Sequence, residues 1–175
     1  MNAPATRVRC GALLLACLLP LSAQAAHPEV YGWIEEALFE PGHIPLKIKL
    51  DTGALTSSMD AQDLQAFKRK GEKWVRFSVV FEDARTAEQH SQQFELPVIR
   101  NLKVRGAGGA EHRPVVRMQI CIGKQMLNEE FTLNNRSQMN YPVLIGRRTL
   151  EHLGAVDVAQ TFTHKPTCPR PATNY

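Results

Sequence analysis

The sequence predicts an all-β fold, a barrel or sandwich, on three observations. Short runs with apolar residues at every second position recur along the chain, separated by turn-forming residues. Only two segments carry a helical pattern, and both are short. No internal repeat or low-complexity segment interrupts the pattern, so many strands with two short helices point to one β-rich layer structure.

Taken in order, residues 30–39 mix aromatic and β-favouring side chains and stop at Pro41-Gly42, a turn signal. Residues 44–50 alternate with period two. Residues 74–81 form the next strand, with Trp74, Phe77, Val79 and Phe81 as its buried candidates. Residues 94–104, 113–122 and 126–133 continue the series. The expected helices are 60–68, with Asp60 as N-cap, and 147–153, stopped at Gly154. From about His164 the chain holds three prolines and little apolar content, so it reads as an extended tail held only by Cys168.

Residues 1–25 read as a secretory signal peptide. Arg7 and Arg9 give a positive start, residues 11–21 an apolar stretch too short to span a bilayer, and Ala23-Gln24-Ala25 a cleavage site. The expectation is a secreted, periplasmic protein with one domain over 26–175 and no membrane span after cleavage. Removing the leader takes two arginines and no acidic residue, and the formal charge falls from +4 to +2, 19 basic against 17 acidic residues. So small an excess argues against nucleic acid as a partner, since such binding needs clustered Lys and Arg. Cleavage also leaves two of the four cysteines, Cys121 and Cys168. In an oxidising compartment they suit one disulfide, while the alternation around Cys121 equally suits a buried strand thiol.

The chemistry gathers at Asp51-Thr52-Gly53, which directly follows the strand at 44–50. By average composition such a triplet occurs by chance in about one chain of this length in thirty. It gains weight from Tyr141-Pro142-Val143-Leu144-Ile145-Gly146-Arg147-Arg148, an apolar strand running through Gly into a helix. A single carboxylate hydrolyses amides poorly, because water must lose a proton while the carbonyl oxygen gains one. Two carboxylates a few ångströms apart cannot both ionise and share one proton, which supplies acid and base together. With one Asp-Thr-Gly per chain, the second Asp51 has to come from another copy across a two-fold axis, so a homodimer is expected. Gly53 lets the backbone turn its N–H toward the carboxylate, and Thr52 braces the turn by hydrogen bonding.

Together, Leu50-Asp51-Thr52-Gly53-Ala54 and Val143-Leu144-Ile145-Gly146-Arg147 resemble the paired motif of retropepsin-type aspartic proteases. The chain is more similar still to the RimB-type bacterial family, often labelled an ATP-dependent zinc protease. The residues that carry this are Val30-Tyr31-Gly32-Trp33-Ile34-Glu35, Asp51 to Ala54 with Thr56-Ser57-Ser58, Arg113-Pro114-Val115-Val116, and Asn135-Arg136-Ser137-Gln138-Met139 leading into Tyr141-Pro142 and Gly146-Arg147-Arg148. The resemblance implies a retropepsin-like acid-protease barrel and aspartic endopeptidase activity on a peptide or protein substrate. It implies Asp51, Thr52 and Gly53 as the catalytic turn, with Ala54 beside it at the substrate. In such proteins a glycine-rich hairpin closes over the substrate, and Gly106-Ala107-Gly108-Gly109 lies at the corresponding place, with Gly108 at its tip, either as such a flap or as a mobile surface hairpin. Arg113 and Arg136 suit a substrate carboxylate, or structural salt bridges. Arg147 reads as an exposed or interfacial ion pair.

Two positions depart from the pattern: Leu55 stands where similar proteins commonly have Lys, and Met59-Asp60 where they have Leu-His. These departures motivate an alternative, a noncatalytic module on the same fold that binds peptides or cell-wall material. Zinc and ATP find no support, for the chain has neither a phosphate loop nor His-Glu-x-x-His, and its six histidines are scattered. No metal or other cofactor is expected.

Overall fold

The structure is a computed structural model, and it describes residues 28–82, 88–106 and 109–169. The expected signal segment and Gly108 at the hairpin tip lie outside the described residues.

Among the described residues, eleven strands and one helix follow in the order β1 (Val30–Glu40), β2 (Ile44–Leu50), β3 (Ser57–Asp60), β4 (Gln62–Arg69), β5 (Glu72–Glu82), β6 (Gln89–Pro97), β7 (Arg100–Gly106), β8 (Gly109–Ile122), β9 (Gln125–Asn134), β10 (Val143–Ile145), α1 (Arg147–Leu153) and β11 (Ala155–Thr161). The main sheet runs β11-β1-β2-β10-β3-β9-β8-β7, and β1 also pairs with β8. That last pairing joins Ala37–Glu40 to Gln119–Ile122 and closes six strands into a mixed barrel. Strands β4, β5 and β6 form a separate antiparallel sheet. The fold is therefore mainly β, a retropepsin-like barrel as the sequence predicts.

Alternation explains β2 directly. Ile44, Leu46, Ile48 and Leu50 point inward and are buried, while Pro45, Lys47 and Lys49 point outward. The inward residues share one core with Val75, Phe77, Val79 and Phe94 of the small sheet, so sheet and barrel enclose a single apolar interior. Phe39 packs edge-on against Phe131 across the barrel, and Phe77 stacks on Phe94.

Two expectations are corrected. Residues 60–68 are not helical: they complete β3 and form β4, which pairs with β5 from Gln65↔Arg76 to Arg69↔Glu72. Leu64 and Phe67 lie three apart as on a helix face, yet the register slips between Gln62 and Gln65, where Asp63 takes φ 51°. A bulge of this kind resets the facing of a strand and imitates helical spacing. The run 94–104 is likewise two strands, β6 in the small sheet and β7 beside the barrel. Pro97 ends the first, as its missing N–H requires.

The tail is fastened by more than its cysteine. Cys121 and Cys168 form a disulfide. Upstream of it, the fully buried Glu35 accepts the backbone N–H groups of Gly32, Thr163 and His164 at 2.7, 3.0 and 3.1 Å, and the Thr163 hydroxyl besides. The Thr167 N–H also donates to the Gly123 carbonyl at 2.7 Å.

Candidate active site

Strand β2 ends where the barrel strands β2 and β10 run side by side and parallel, with Leu50 opposite Ile145. The chain then leaves the sheet as a turn at Asp51-Thr52-Gly53, and the Asp51 N–H still donates to the Ile145 carbonyl at 2.8 Å. After the turn the chain enters β3 on the far side of β10, so β10 lies between the two arms of the loop. Gly146 follows at the crossing. A Cβ there would lie 2.7 Å from the Thr56 carbonyl carbon and 2.9 Å from that of Leu55, so only glycine lets the segments pass.

Helix α1 begins immediately beyond and spends its first N–H groups on the loop. Arg147 donates its N–H to the Ala54 carbonyl at 2.9 Å, and Arg148 donates to that of Leu55 at 3.2 Å. The opening turn of a helix has no internal acceptors for these donors, and the aspartate loop supplies them. The Arg147 guanidinium also donates to the carbonyls of Thr52 and Gly53, at 2.9 and 3.2 Å. Arg147 is thus exposed, but among the described residues it holds the loop backbone in place of the expected ion pair. From behind, the buried Ser57 hydroxyl accepts the Gly146 N–H at 3.0 Å and meets the Thr149 hydroxyl at 3.0 Å.

The Asp51 carboxylate sits on this frame with its side chain about one-quarter exposed (24%). Gly53 donates its N–H to Oδ1 at 2.9 Å, the bond that the glycine was expected to allow. On the other oxygen, the Lys49 ammonium lies 3.2 Å from Oδ2. Partial burial pushes the carboxyl upward, but the Lys49 ammonium and the N–H groups of Gly53 and Ala54 outweigh it and hold the group below the usual carboxylate range. Thr52 braces the turn through its carbonyl, and Ala54 is half-buried beneath it.

The two expected arginines come near each other and differ in their partners. Arg113 is bound by both Nε and Nη2 to Glu111, at 3.0 and 2.8 Å, the structural salt bridge that the sequence allowed. Arg136 is held at its backbone, where its N–H donates to Asp60 at 2.6 Å, while among the described residues its guanidinium makes only long contacts of 3.4 Å to the Tyr141 carbonyl. Burial lowers its pKa, Asp60 and Asp51 oppose that lowering, and Arg113 adds to it. Arg136 therefore lies within the electrostatic reach of Asp51 and Arg113 at once. The departing residues separate as well. Leu55 is half-exposed at the loop rim (49%), whereas Asp60 is buried and holds the backbone of Arg136.

Beside this site opens a cleft of about 540 Å³ between the barrel and the small sheet. Asp51 does not line it; Arg136 does, together with Asp60, Phe81, Met139 and Phe162. Among the described residues no three His, Cys, Asp or Glu side chains gather as a metal site, and no helix is long and apolar enough to cross a membrane.

Sequence reasoning missed Lys49 and Arg147. Period two gave a signal for the first, since Lys49 and Asp51 follow one another on the same side of one extended run. For the second no local signal existed, because its acceptors are carbonyls more than ninety residues away.

Comparison with known proteins agrees with this fold. Relatives include proteins named probable alpha-L-glutamate ligase. That of Shewanella halifaxensis is 32% identical over 118 residues, 67% of this chain and 25% of the relative. That of Desulfotalea psychrophila is 33% identical over 133 residues, 75% of this chain and 28% of the relative. The chain thus spans about a quarter of the length of these relatives. A solved structure of a Legionella pneumophila protein of unknown function is similar with a TM-score of 0.65 and 33% identity, over 78% of this chain and 98% of that one. The family model described as "Retropepsin-like aspartic endopeptidase RimB" matches residues 30–167, and the chain belongs to that RimB-like family.

Proposed function

We propose that the protein is an aspartic endopeptidase whose dyad forms from the Asp51 of two copies, acting on peptides in the periplasm after removal of residues 1–25. One observation carries this reading. The Asp51 carboxylate is held at the tip of a loop that is braced from three sides, by Gly53, by the start of α1 and by Arg147, and it remains partly exposed. Alone it is an ionised base. Beside its own copy it shares one proton, so one carboxylate takes a proton from water while the other gives one to the scissile carbonyl oxygen. The same reading makes Thr52 and Gly53 the frame of that turn.

For the substrate we propose acidic peptides, glutamate-containing ones in particular. Arg136 lines the neighbouring cleft, its guanidinium has no carboxylate partner among the described residues, and the charge of Asp51 acts on it. The relatives' names, which speak of joining glutamate, suit a domain that handles glutamyl bonds. Export to the periplasm is supported by the Cys121–Cys168 disulfide, since such bonds persist in oxidising compartments.

The test is cleavage of a peptide library enriched in glutamate by the purified mature protein and by Asp51→Asn. Cleavage should vanish in the variant while its circular dichroism stays unchanged. Activity that survives in Asp51→Asn overturns the assignment. Peptide binding without turnover, equal in both proteins, identifies instead a noncatalytic module on the same barrel.

A further inference from the structure

The feature that the peptidase reading leaves unused is the ion pair at the carboxylate itself. Lys49 lies in the middle of the sheet, with Ile34 of β1 on one side and Leu144 of β10 on the other. Neighbours in register on both sides flank its aliphatic stem and limit where the ammonium goes. It goes to Asp51 Oδ2, at 3.2 Å. A lysine at this place is costly to keep ordered unless it has a task, because a half-exposed lysine loses rotamer freedom when pinned.

We propose, resting on the peptidase reading above, that Lys49 is a positioning residue which confines the working form of the Asp51 dyad to acid pH. The dyad works with one proton on two carboxylates. A cation beside each carboxylate favours the fully ionised dyad, which has no proton to give to the carbonyl oxygen. Two copies bring two lysines, so the effect enters twice. The other charged groups that face Asp51 act in the same direction: Arg136 from the β9–β10 connection through its electrostatic reach, and Arg147 of α1 on the carbonyls of Thr52 and Gly53. Of the groups around Arg136, Asp60 is engaged by the Arg136 N–H and Arg113 is neutralised by Glu111. Lys49 alone among these cations touches the carboxylate, so it dominates the balance.

The consequence is contrary to what loss of a bracing residue does. Lys49→Met should move the whole pH–rate profile upward, so that the ratio of kcat/KM at pH 7 to that at pH 4 rises roughly three-fold or more. Lys49→Arg, which keeps the cation, should restore the original profile. A merely structural role would lower kcat/KM at every pH and leave the ratio unchanged, and that result overturns the proposal. The ionisation of Asp51, followed by carbon-13 NMR of its carboxyl in wild type and Lys49→Met without substrate, separates this inference from the peptidase reading. An upward shift of that titration in the variant, in a protein that cleaves nothing, supports the ion pair's role and rejects the peptidase. An unshifted titration rejects the role of Lys49 whatever the activity.

Discussion

Arg147 shows how one exposed side chain serves a site it does not enter. Its guanidinium ties the carbonyls of Thr52 and Gly53, while its own N–H ties Ala54, so three consecutive residues after Asp51 hang on one residue of α1. Exposed hydrogen bonds contribute little to stability, about 1 kcal/mol at most. Their value lies in placement, where a misplacement of about 1 Å costs on the order of 100-fold in rate. Arg147→Ala should therefore keep a melting temperature close to wild type and lose roughly ten-fold or more in kcat/KM, measured on the same peptide by steady-state kinetics. A large fall in melting temperature with unchanged kinetics would contradict that division. At this scale the sequence was legible where chemistry sits on consecutive residues, as in Asp51 to Gly53. It was not legible where the partner is a distant carbonyl, because a carbonyl has no residue identity.

The elements divide along the same line. Strands β2 and β5 and the middle of β8 follow from alternation, because each has one face on the shared core, whereas β1 is legible from its aromatic and β-favouring composition. The misread segment is 60–68, an edge strand with a bulge, whose exposed residues place little constraint on pattern. Also illegible was the anchoring of the segment after β11. Glu35 belongs to β1, and its carboxylate gathers donors from residues 163 and 164, across nearly 130 positions. A buried carboxylate with four donors is stable only as a set, since losing the acceptor strands the N–H groups in an apolar place. Glu35→Ala should cost roughly 3 kcal/mol in chemical denaturation. Glu35→Gln, which keeps one carbonyl oxygen, should cost clearly less. Equal losses would mean that charge, and not hydrogen bonding, holds the tail.

For the molecule as a whole, the barrel is closed by backbone pairing, and a covalent bond ties the tail to β8. The Cys121–Cys168 link spans a sequence separation of 47 residues. On the chain-entropy account a loop of that length contributes about 4 kcal/mol, mostly by restricting the unfolded chain. Reduction should therefore lower the melting temperature by roughly 10 °C or more, read by differential scanning calorimetry with and without a phosphine reductant. An unchanged melting temperature would show that Glu35 and the strand pairings hold the tail without it. The fold class was legible at this scale because period two pervades the chain. The closure was not, because the β1–β8 pairing unites strands that are far apart in sequence and share no motif.

The covalent loop has a consequence for the site's construction. It runs from Cys121 through β9, β10 and α1 to the tail, so Arg136, Gly146 and Arg147 all lie inside it, and Asp51 and Lys49 lie outside. Asp51 and the residues of α1 that brace its loop thus belong to two different portions of one chain. A single backbone cut anywhere between the two cysteines leaves one connected molecule while the bond is intact. The segment of α1 that braces the Asp51 loop is thus the part that such a cut does not release.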